Sequence, residues 1–219
     1  MAIDKITTPA VTDDSVTLAK MAPGTDGNII SYDASGNPVA IATGNDGQVL
    51  TSTGAGSPPA FETLPVGGIT MADQWRTSAN AFINSSNDIT ANWERVDTDS
   101  YGTIGSAMSQ SSGIFTFPST GIYLVQALVA ILPDGVRTIA GAEIRVTTNN
   151  SGYSSATDAY QHTTAQNYNI SVYMSFILDV TDTSNVKLKL SYSANGSATV
   201  VGDSDSTRTG MTFIRLGDT

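Results

Sequence analysis

Alternation of apolar and polar residues is the feature that most narrows the folds open to this chain. In Tyr168–Val180 every second residue is apolar, and the same period of two returns in Val186–Tyr192. This period places the apolar side chains on one face of a β-strand, whereas an amphipathic helix needs a period of about 3.6. In the first segment the two alternating sets are Ile170, Val172, Met174, Phe176 and Leu178, and Asn169, Ser171, Tyr173 and Ser175.

Short strands of this kind recur along the C-terminal two thirds of the chain. About eight of them follow one another from Asp73, with turn residues between them and no long helical pattern. This arrangement is typical of a β-sandwich. The sequence therefore predicts an all-β fold, with a jelly-roll head over residues 73–219.

One strand differs because both of its faces are apolar. In GIYLVQALVAIL, one face carries Ile122, Leu124 and Leu128, and the other carries Tyr123, Val125, Val129 and Ile131. A sandwich strand buries one face in its own core, so the second face also needs a cover. We assign Tyr123, Val125, Val129 and Ile131 to the interface of a homotrimer. The alternative is that the N-terminal arm or a loop of the same chain covers this face.

The N-terminal region contains a phrase that is repeated after twenty residues. The aligned pairs are Gly24 with Gly44, Asp26 with Asp46, Gly27 with Gly47, Gly36 with Gly56, and Pro38 with Pro58. Each copy has an apolar pair, a Gly-containing turn and a second short strand, which predicts two hairpins over residues 23–63. Since an isolated hairpin is marginal in water, each hairpin needs a surface to lie against. Residues 1–22 are predicted to be a lead-in or docking segment, and residues 64–72 a hinge.

Charge and composition argue against several classes of partner and of chemistry. The net charge is −10 and no basic cluster is present, so neither a nucleic acid nor an anionic membrane is an expected partner. The chain has no cysteine and a single histidine, which leaves little material for a catalytic triad or a thiolate metal site. We therefore expect no enzymatic activity; a polysaccharide depolymerase is the distant alternative.

Two groups of residues are candidate binding sites. Asp203 and Asp205 alternate in a loop and could offer oxygens to calcium, although an acidic solvated turn explains the same pattern. Tyr153, Tyr160 and Tyr168 flank a region rich in Ser, Thr and Asn, and His162 lies within it, in a predicted loop. Aromatic faces beside hydrogen-bonding side chains suit a glycan or a protein surface, so these four residues form the predicted receptor site.

The head resembles a known family in two places. GIFTFPSTGIYLVQALV (Gly113–Val129) is similar to the most characteristic stretch of the complement and tumour-necrosis-factor jelly rolls, in which Gly-x-Phe is followed by a Pro and Gly corner and by Gly-x-Tyr. The closing GMTFIRLGD (Gly210–Asp218) resembles that family's last strand. The resemblance covers about Asp73–Thr219 and implies a trimeric jelly roll; some members also bind calcium near the trimer axis.

The N-terminal region resembles a second group of proteins. The stretch over residues 12–62, which ends in TGAGSPPAFE, is similar to phrases of bacteriophage tail-fibre and virion-appendage proteins. This resemblance implies a homotrimeric virion protein that is made in the bacterial cytoplasm and attached to other virion proteins through residues 1–63. Its head then binds a glycan or protein of the host surface. The alternative is a capsid decoration, cement or head-fibre protein whose arm is strapped across the capsid.

Overall fold

The computed structural model describes residues 24–64, 68–164 and 168–219. The chain divides into two compact units, Met1–Gly67 and Gly68–Thr219. The predicted lead-in over residues 1–22 lies outside the described residues. No helix within the described ranges is long and apolar enough to cross a membrane.

Every long regular element of the described chain is a β-strand, which confirms the predicted all-β class. The strands are β1 (Ile29–Tyr32), β2 (Pro38–Ile41), β3 (Gln48–Thr51), β4 (Ala60–Thr63), β5 (Met71–Thr77), β6 (Ala81–Ile83), β7 (Asn87–Asp88), β8 (Trp93–Arg95), β9 (Ser109–Ser111), β10 (Ile114–Thr116), β11 (Gly121–Pro133), β12 (Arg137–Thr147), β13 (Ser154–Thr163), β14 (Ile170–Val180), β15 (Lys187–Ala194), β16 (Ala198–Val200) and β17 (Gly210–Gly217).

The N-terminal unit contains the two predicted hairpins. Strand β1 pairs with β2, and β3 pairs with β4, each in antiparallel register. Equivalent glycines of the two copies share the same left-handed backbone conformation, with φ of 76° at Gly27 and 82° at Gly47, and of 79° at Gly36 and 80° at Gly56. An L-residue with a side chain rarely adopts these angles, which explains why glycine recurs at both positions. The sequence repeat is thus also a repeat of backbone geometry.

The C-terminal unit is a sandwich of two antiparallel sheets. The six-stranded sheet has the order β13-β12-β15-β10-β9, with β7 paired to β15. The seven-stranded sheet has the order β6-β16-β11-β17-β5-β8, with β14 on the other edge of β11. Strand β11 is therefore central: from Gly121 to Ile131 it pairs with β14, and on its opposite edge it pairs with β17 and then β16.

An aromatic cluster joins the two sheets across the core. Phe115 on β10, in the six-stranded sheet, has no exposed surface. Its ring centroid lies 4.9 Å from that of Trp93, 5.3 Å from Phe213 and 5.8 Å from Trp75, all three in the seven-stranded sheet. The two Trp rings meet the Phe115 ring edge to face, an arrangement that adds to the burial of apolar area.

The turn between β10 and β11 carries the chain from one sheet to the other. The hydroxyl of Tyr123 donates to the carbonyl oxygen of Ser119 at 2.9 Å and so fixes this corner. Gly113, before β10, has a φ of 76°, and a Cβ there would lie 2.3 Å from the carbonyl oxygen of Ile89. The Gly-x-Phe and Gly-x-Tyr motifs therefore encode close backbone packing at the first glycine and a buried aromatic anchor in each strand.

A buried carboxylate holds the start of the head together. Asp73 has no exposed side-chain surface and pairs with Arg95 at 3.0 Å. It also accepts hydrogen bonds from the indole of Trp75 at 3.0 Å and from the backbone N–H of Met108 at 2.9 Å. Because both oxygens are bonded, the desolvation of this charge is compensated.

The structure differs from the sequence predictions in two details. Strand β5 begins at Met71, two residues before the predicted start of the head. The segment that contains His162 was predicted to be a loop but is strand β13. This strand lies at the edge of its sheet and is exposed along most of its length. Because the strand has no buried face, its sequence lacks the alternation of apolar and polar residues that predicts a strand.

We predict that Phe115→Ala destabilises the head by about 3–5 kcal/mol, because it removes a ring to which both sheets contribute and leaves a cavity. Urea unfolding at fixed protein concentration measures the change. The control is Val136→Ala, at an exposed position, which should change stability by less than about 0.5 kcal/mol. A Phe115→Ala effect as small as that of the control would contradict the central role of this ring.

Candidate functional site

The structure corrects the predicted interface on β11. Tyr123, Val125, Val129 and Ile131 have no exposed surface in a single chain and belong to the sandwich core. They offer nothing for a second copy to cover. The opposite face of the strand points outward from the seven-stranded sheet, and there Ile122, Leu124, Gln126 and Leu128 are half-buried.

A row of apolar side chains crosses this outward face from strand to strand. Leu124 on β11 stands opposite Ile177 on β14 and opposite Ile214 on β17. Ile214 stands opposite Ala72 on β5, and Ala72 is bridged to Ile104. Ile177 is 64% exposed and Ile104 is 48% exposed. Five apolar side chains therefore form one continuous line across four strands and a bridged segment, which we call the apolar row.

A row of polar side chains, which we call the polar row, runs parallel to the apolar row and lies two residues away from it on each strand. It consists of Ser175, Gln126, Thr212 and Gln74 on β14, β11, β17 and β5. The amide of Gln74 donates to the hydroxyl of Thr212 at 3.0 Å, and the amide of Gln126 donates to the hydroxyl of Tyr173. These bonds fix the orientation of the polar side chains while the Tyr173 ring stays exposed.

The two rows give this sheet face the character of a protein-binding surface. The apolar row supplies area whose removal from water stabilises an association. The polar row supplies donors and acceptors that restrict how a partner can align. In a single chain, Ile104 and Ile177 of this row remain exposed to water.

The sequence contains one indication that this outward face is apolar, although the alternating pattern alone does not reveal it. Ile177 occupies the next position in the outward set of β14 after Ser171, Tyr173 and Ser175, where it breaks a series of polar and amphipathic residues. An isolated isoleucine among outward residues marks a place where the outward face is apolar. Ala72, Ile104 and Ile214 give no such signal, because only the strand pairing aligns them.

The four predicted receptor residues do not form one site. Tyr153 precedes β13, Tyr160 and His162 lie on β13, and Tyr168 follows the strand. Tyr153 and Tyr160 are separated by seven residues of extended chain, or about 23 Å. Tyr160, His162 and Tyr168 are exposed, whereas Tyr153 is half-buried.

Tyr153 belongs instead to a charged cluster on the outward face of the six-stranded sheet. The ammonium group of Lys189 lies 4.2 Å from the centroid of the Tyr153 ring. The same group bonds Asp88 at 2.9 Å, and the hydroxyl of Ser191 bonds the other oxygen of Asp88 at 2.6 Å. Arg145 lies 3.7 Å from Asp88 and donates to the carbonyl oxygen of Tyr153 at 3.0 Å. Burial raises the pKa of the Tyr153 hydroxyl.

Asp203 shapes a turn. One of its oxygens accepts the backbone N–H groups of Asp205 and Ser206, at 2.8 and 3.2 Å. These contacts, led by the N–H of Asp205, hold the pKa of Asp203 below its ordinary value. No cluster of three or more Asp, Glu, His or Cys side chains suited to a metal ion occurs in the part of the chain that the structure describes. The geometry at Asp203 is that of an acidic turn.

Comparison of the sequence with known protein families and with curated proteins finds no match. Comparison of the structure with solved structures does. An Eiger TNF from S. frugiperda superposes with a TM-score of 0.55 at 14% identity, over 69% of this chain and 96% of that one. Murine APRIL superposes with a TM-score of 0.50 at 14% identity, over 67% of this chain and 98% of that one. The head is a jelly roll of the tumour-necrosis-factor type.

This likeness confirms the fold predicted for the head from the Gly-x-Phe and Gly-x-Tyr motifs. At 14% identity it shows the fold alone. The apolar row and the charged cluster lie on the outward faces of the two sheets of this jelly roll. Any functional assignment therefore rests on the side chains of this chain.

We predict that the charged cluster makes the jelly-roll head sensitive to acid. Partial burial acts to raise the pKa of Asp88, but bonds from Ser191 and Lys189 and the nearby cationic charges outweigh it, so the pKa lies below its ordinary value. A carboxylate with a lowered folded-state pKa stabilises the fold above its unfolded-state pKa, and this contribution is lost as the pH falls through the folded-state value.

Urea unfolding of the wild type and of Asp88→Asn between about pH 6 and pH 3 measures this effect. The stability difference between the two proteins should be largest near pH 6 and should shrink below about pH 4. The control is Asp158→Asn on β13, whose side chain makes no hydrogen bond or ion pair within the described ranges. A wild-type advantage over Asp88→Asn that does not change with pH would contradict the assignment.

Proposed function

We propose that the protein is a non-enzymatic bacteriophage virion protein: a homotrimeric appendage attached by its N-terminal arm, with a jelly-roll head that binds the host surface. The structural observation that carries self-association, the central part of this proposal, is the apolar row on the outward face of the seven-stranded sheet. A second copy of the same face is a suitable cover, since a row that is apolar in one copy is apolar in all. That the oligomer contains three chains is inferred from the resemblance of Gly113–Val129 to trimeric jelly rolls.

The arm supports the proposal through what its hairpins leave uncovered. Ile30 and Tyr32 of the first hairpin and Leu50 of the second are exposed in the described structure. Among the hydrophobic side chains of these hairpins, only Ile41 is buried. A two-stranded hairpin of four-residue strands buries too little apolar area to be stable alone. Docking on neighbouring arms or on the particle surface supplies the missing contacts.

The virion assignment itself rests on the N-terminal phrase. The resemblance to tail-fibre and appendage proteins lies in residues 12–62, and the part of it from residue 24 onward folds as two copies of one hairpin unit. Avidity would strengthen binding to a host surface, because three heads on one appendage bind together even when each head binds weakly.

A capsid decoration or cement protein is the second candidate. It shares the trimer and the docked arm, and the exposed apolar side chains of the hairpins suit a strap on a capsid lattice. The two candidates differ in where the trimer is located on the particle.

We predict a trimer in solution that the outward sheet face holds together. Light scattering coupled to size exclusion should give about three times the chain mass of 22.8 kDa. Ile177→Asp should shift the mass to that of a monomer at micromolar protein, because it places a charge in the apolar row. Since Ile177 is largely exposed in one chain, the monomer should keep its fold by circular dichroism.

The matched control is Ile139→Asp, at an exposed position on the six-stranded sheet, which should leave the trimer intact. A wild-type monomer at working concentration would refute the trimer. A trimer that persists in Ile177→Asp would place the interface elsewhere.

Location on the particle tests the virion assignment and separates the two candidates. Gold-labelled antibody against the head should mark the tail of intact phage if the protein is an appendage for attachment, and purified trimer should then inhibit adsorption. Label over the capsid, with normal adsorption but capsids that burst more easily when the protein is absent, would identify the cement protein. Particles without any label would overturn both candidates.

A further inference from the structure

Tyr160 forms an exposed platform on the outward face of the six-stranded sheet, away from the apolar row. Its strand neighbour on β12 is Gly141, and a Cβ on Gly141 would lie 2.8 Å from a ring carbon of Tyr160. Glycine at position 141 is therefore needed for the Tyr160 ring to pack against β12. The residue is 43% exposed, and its hydroxyl lies 3.4 Å from that of Ser193 on β15.

A depression of about 460 Å³ surrounds this ring. Its lining consists of Ser86, Ile139, Tyr160, Ser193, Ala194 and Asn195. The volume falls in the range of about 300–1,000 Å³ that small-molecule sites occupy. Ile139, which is 49% exposed, extends the apolar floor that the Tyr160 ring begins.

The polar side chains around the depression are held in place by contacts of their own. Asn195 donates to the hydroxyl of Thr138 at 2.7 Å and accepts the backbone N–H of Ile139 at 3.4 Å. Ser86 accepts the N–H of Ala194 at 3.1 Å. The second amide hydrogen of Asn195 and the hydroxyls of Ser193 and Tyr160 can still bond a ligand. Groups fixed before binding lose less conformational entropy when the ligand arrives.

None of the six lining residues is charged, which narrows the class of ligand. An anionic ligand would find no cation in the lining to compensate its charge, and it would approach a protein of net charge −10. The site instead offers an apolar platform with hydroxyl and amide groups at its rim.

We propose that this depression binds a neutral saccharide unit, with one apolar face of the sugar ring stacked on Tyr160 and Ile139. The C–H groups of a pyranose face pack on an aromatic or aliphatic surface, while the equatorial hydroxyls point outward to hydrogen-bonding groups at the rim. Ser193 and Asn195 line the same depression and offer hydrogen-bonding groups to such hydroxyls. The inference deepens the proposed function, since it names the class of host-surface ligand and the residues of the head that contact it.

The test is saturation-transfer NMR of the full-length protein with the methyl glycosides of glucose, galactose, rhamnose and N-acetylglucosamine at millimolar concentration. The methyl glycoside of sialic acid serves as the acidic comparison. At least one neutral glycoside should bind, and Tyr160→Ala should weaken that binding at least about tenfold. Tyr160→Phe keeps the ring and should retain most of it.

The matched control is Tyr32→Ala, which removes an exposed tyrosine from the other unit of the chain and should leave binding unchanged. Three results would overturn the inference: no neutral glycoside binds, binding is confined to the sialoside, or Tyr160→Ala binds as well as the wild type. Circular dichroism of Tyr160→Ala confirms that the loss is local.

Light scattering on the same samples separates this inference from the proposed function. A trimer that binds no neutral glycoside refutes the saccharide site alone. A monomer whose sugar binding is lost in Tyr160→Ala refutes the trimer alone.

Discussion

The packing of Phe115 against Trp75, Trp93 and Phe213 is the interaction on which the head depends. Phe115 comes from one sheet and its three neighbours come from the other. The corner between β10 and β11 carries the chain from the sheet of Phe115 to the other sheet, and there the Tyr123 hydroxyl donates to the carbonyl oxygen of Ser119. Once the cluster forms, the inner face of each sheet is determined, and so is the outer face. The positions of the apolar row and of the Tyr160 platform follow from that choice.

The sequence predicted the class of fold well because the signals involved are local. A period of two depends only on neighbouring residues, and the twenty-residue repeat can be aligned by eye. The Gly-x-Phe and Gly-x-Tyr motifs also act locally, through a left-handed glycine at Gly113 and a buried ring in each of two successive strands. Each of these signals can be identified in the sequence without knowing which strands pair.

The choice of face on Gly121–Pro133 could not be made in the same way. Both sets of alternating side chains are apolar, so hydropathy does not separate the inner set from the outer one. The decision depends on the Tyr123 hydroxyl, which reaches back to the corner, and on the pairing of Leu124 with Ile177 and Ile214. Strand β13 was not predicted for a related reason. It lies at a sheet edge and is exposed along most of its length, so its sequence shows no alternation of apolar and polar residues. Strand pairing is a long-range property, and it is what created both outward surfaces.

The matched glycine conformations of the arm have a consequence for how such proteins diversify. Because Gly27 and Gly47, and likewise Gly36 and Gly56, hold the same backbone angles, each copy is a self-similar module with its own entry turn and its own tip. A gene duplication or deletion of sixty nucleotides therefore adds or removes one complete module and preserves every turn around it. The number of hairpins can therefore change over evolutionary time in whole steps, without any change in the sequence of the jelly-roll unit.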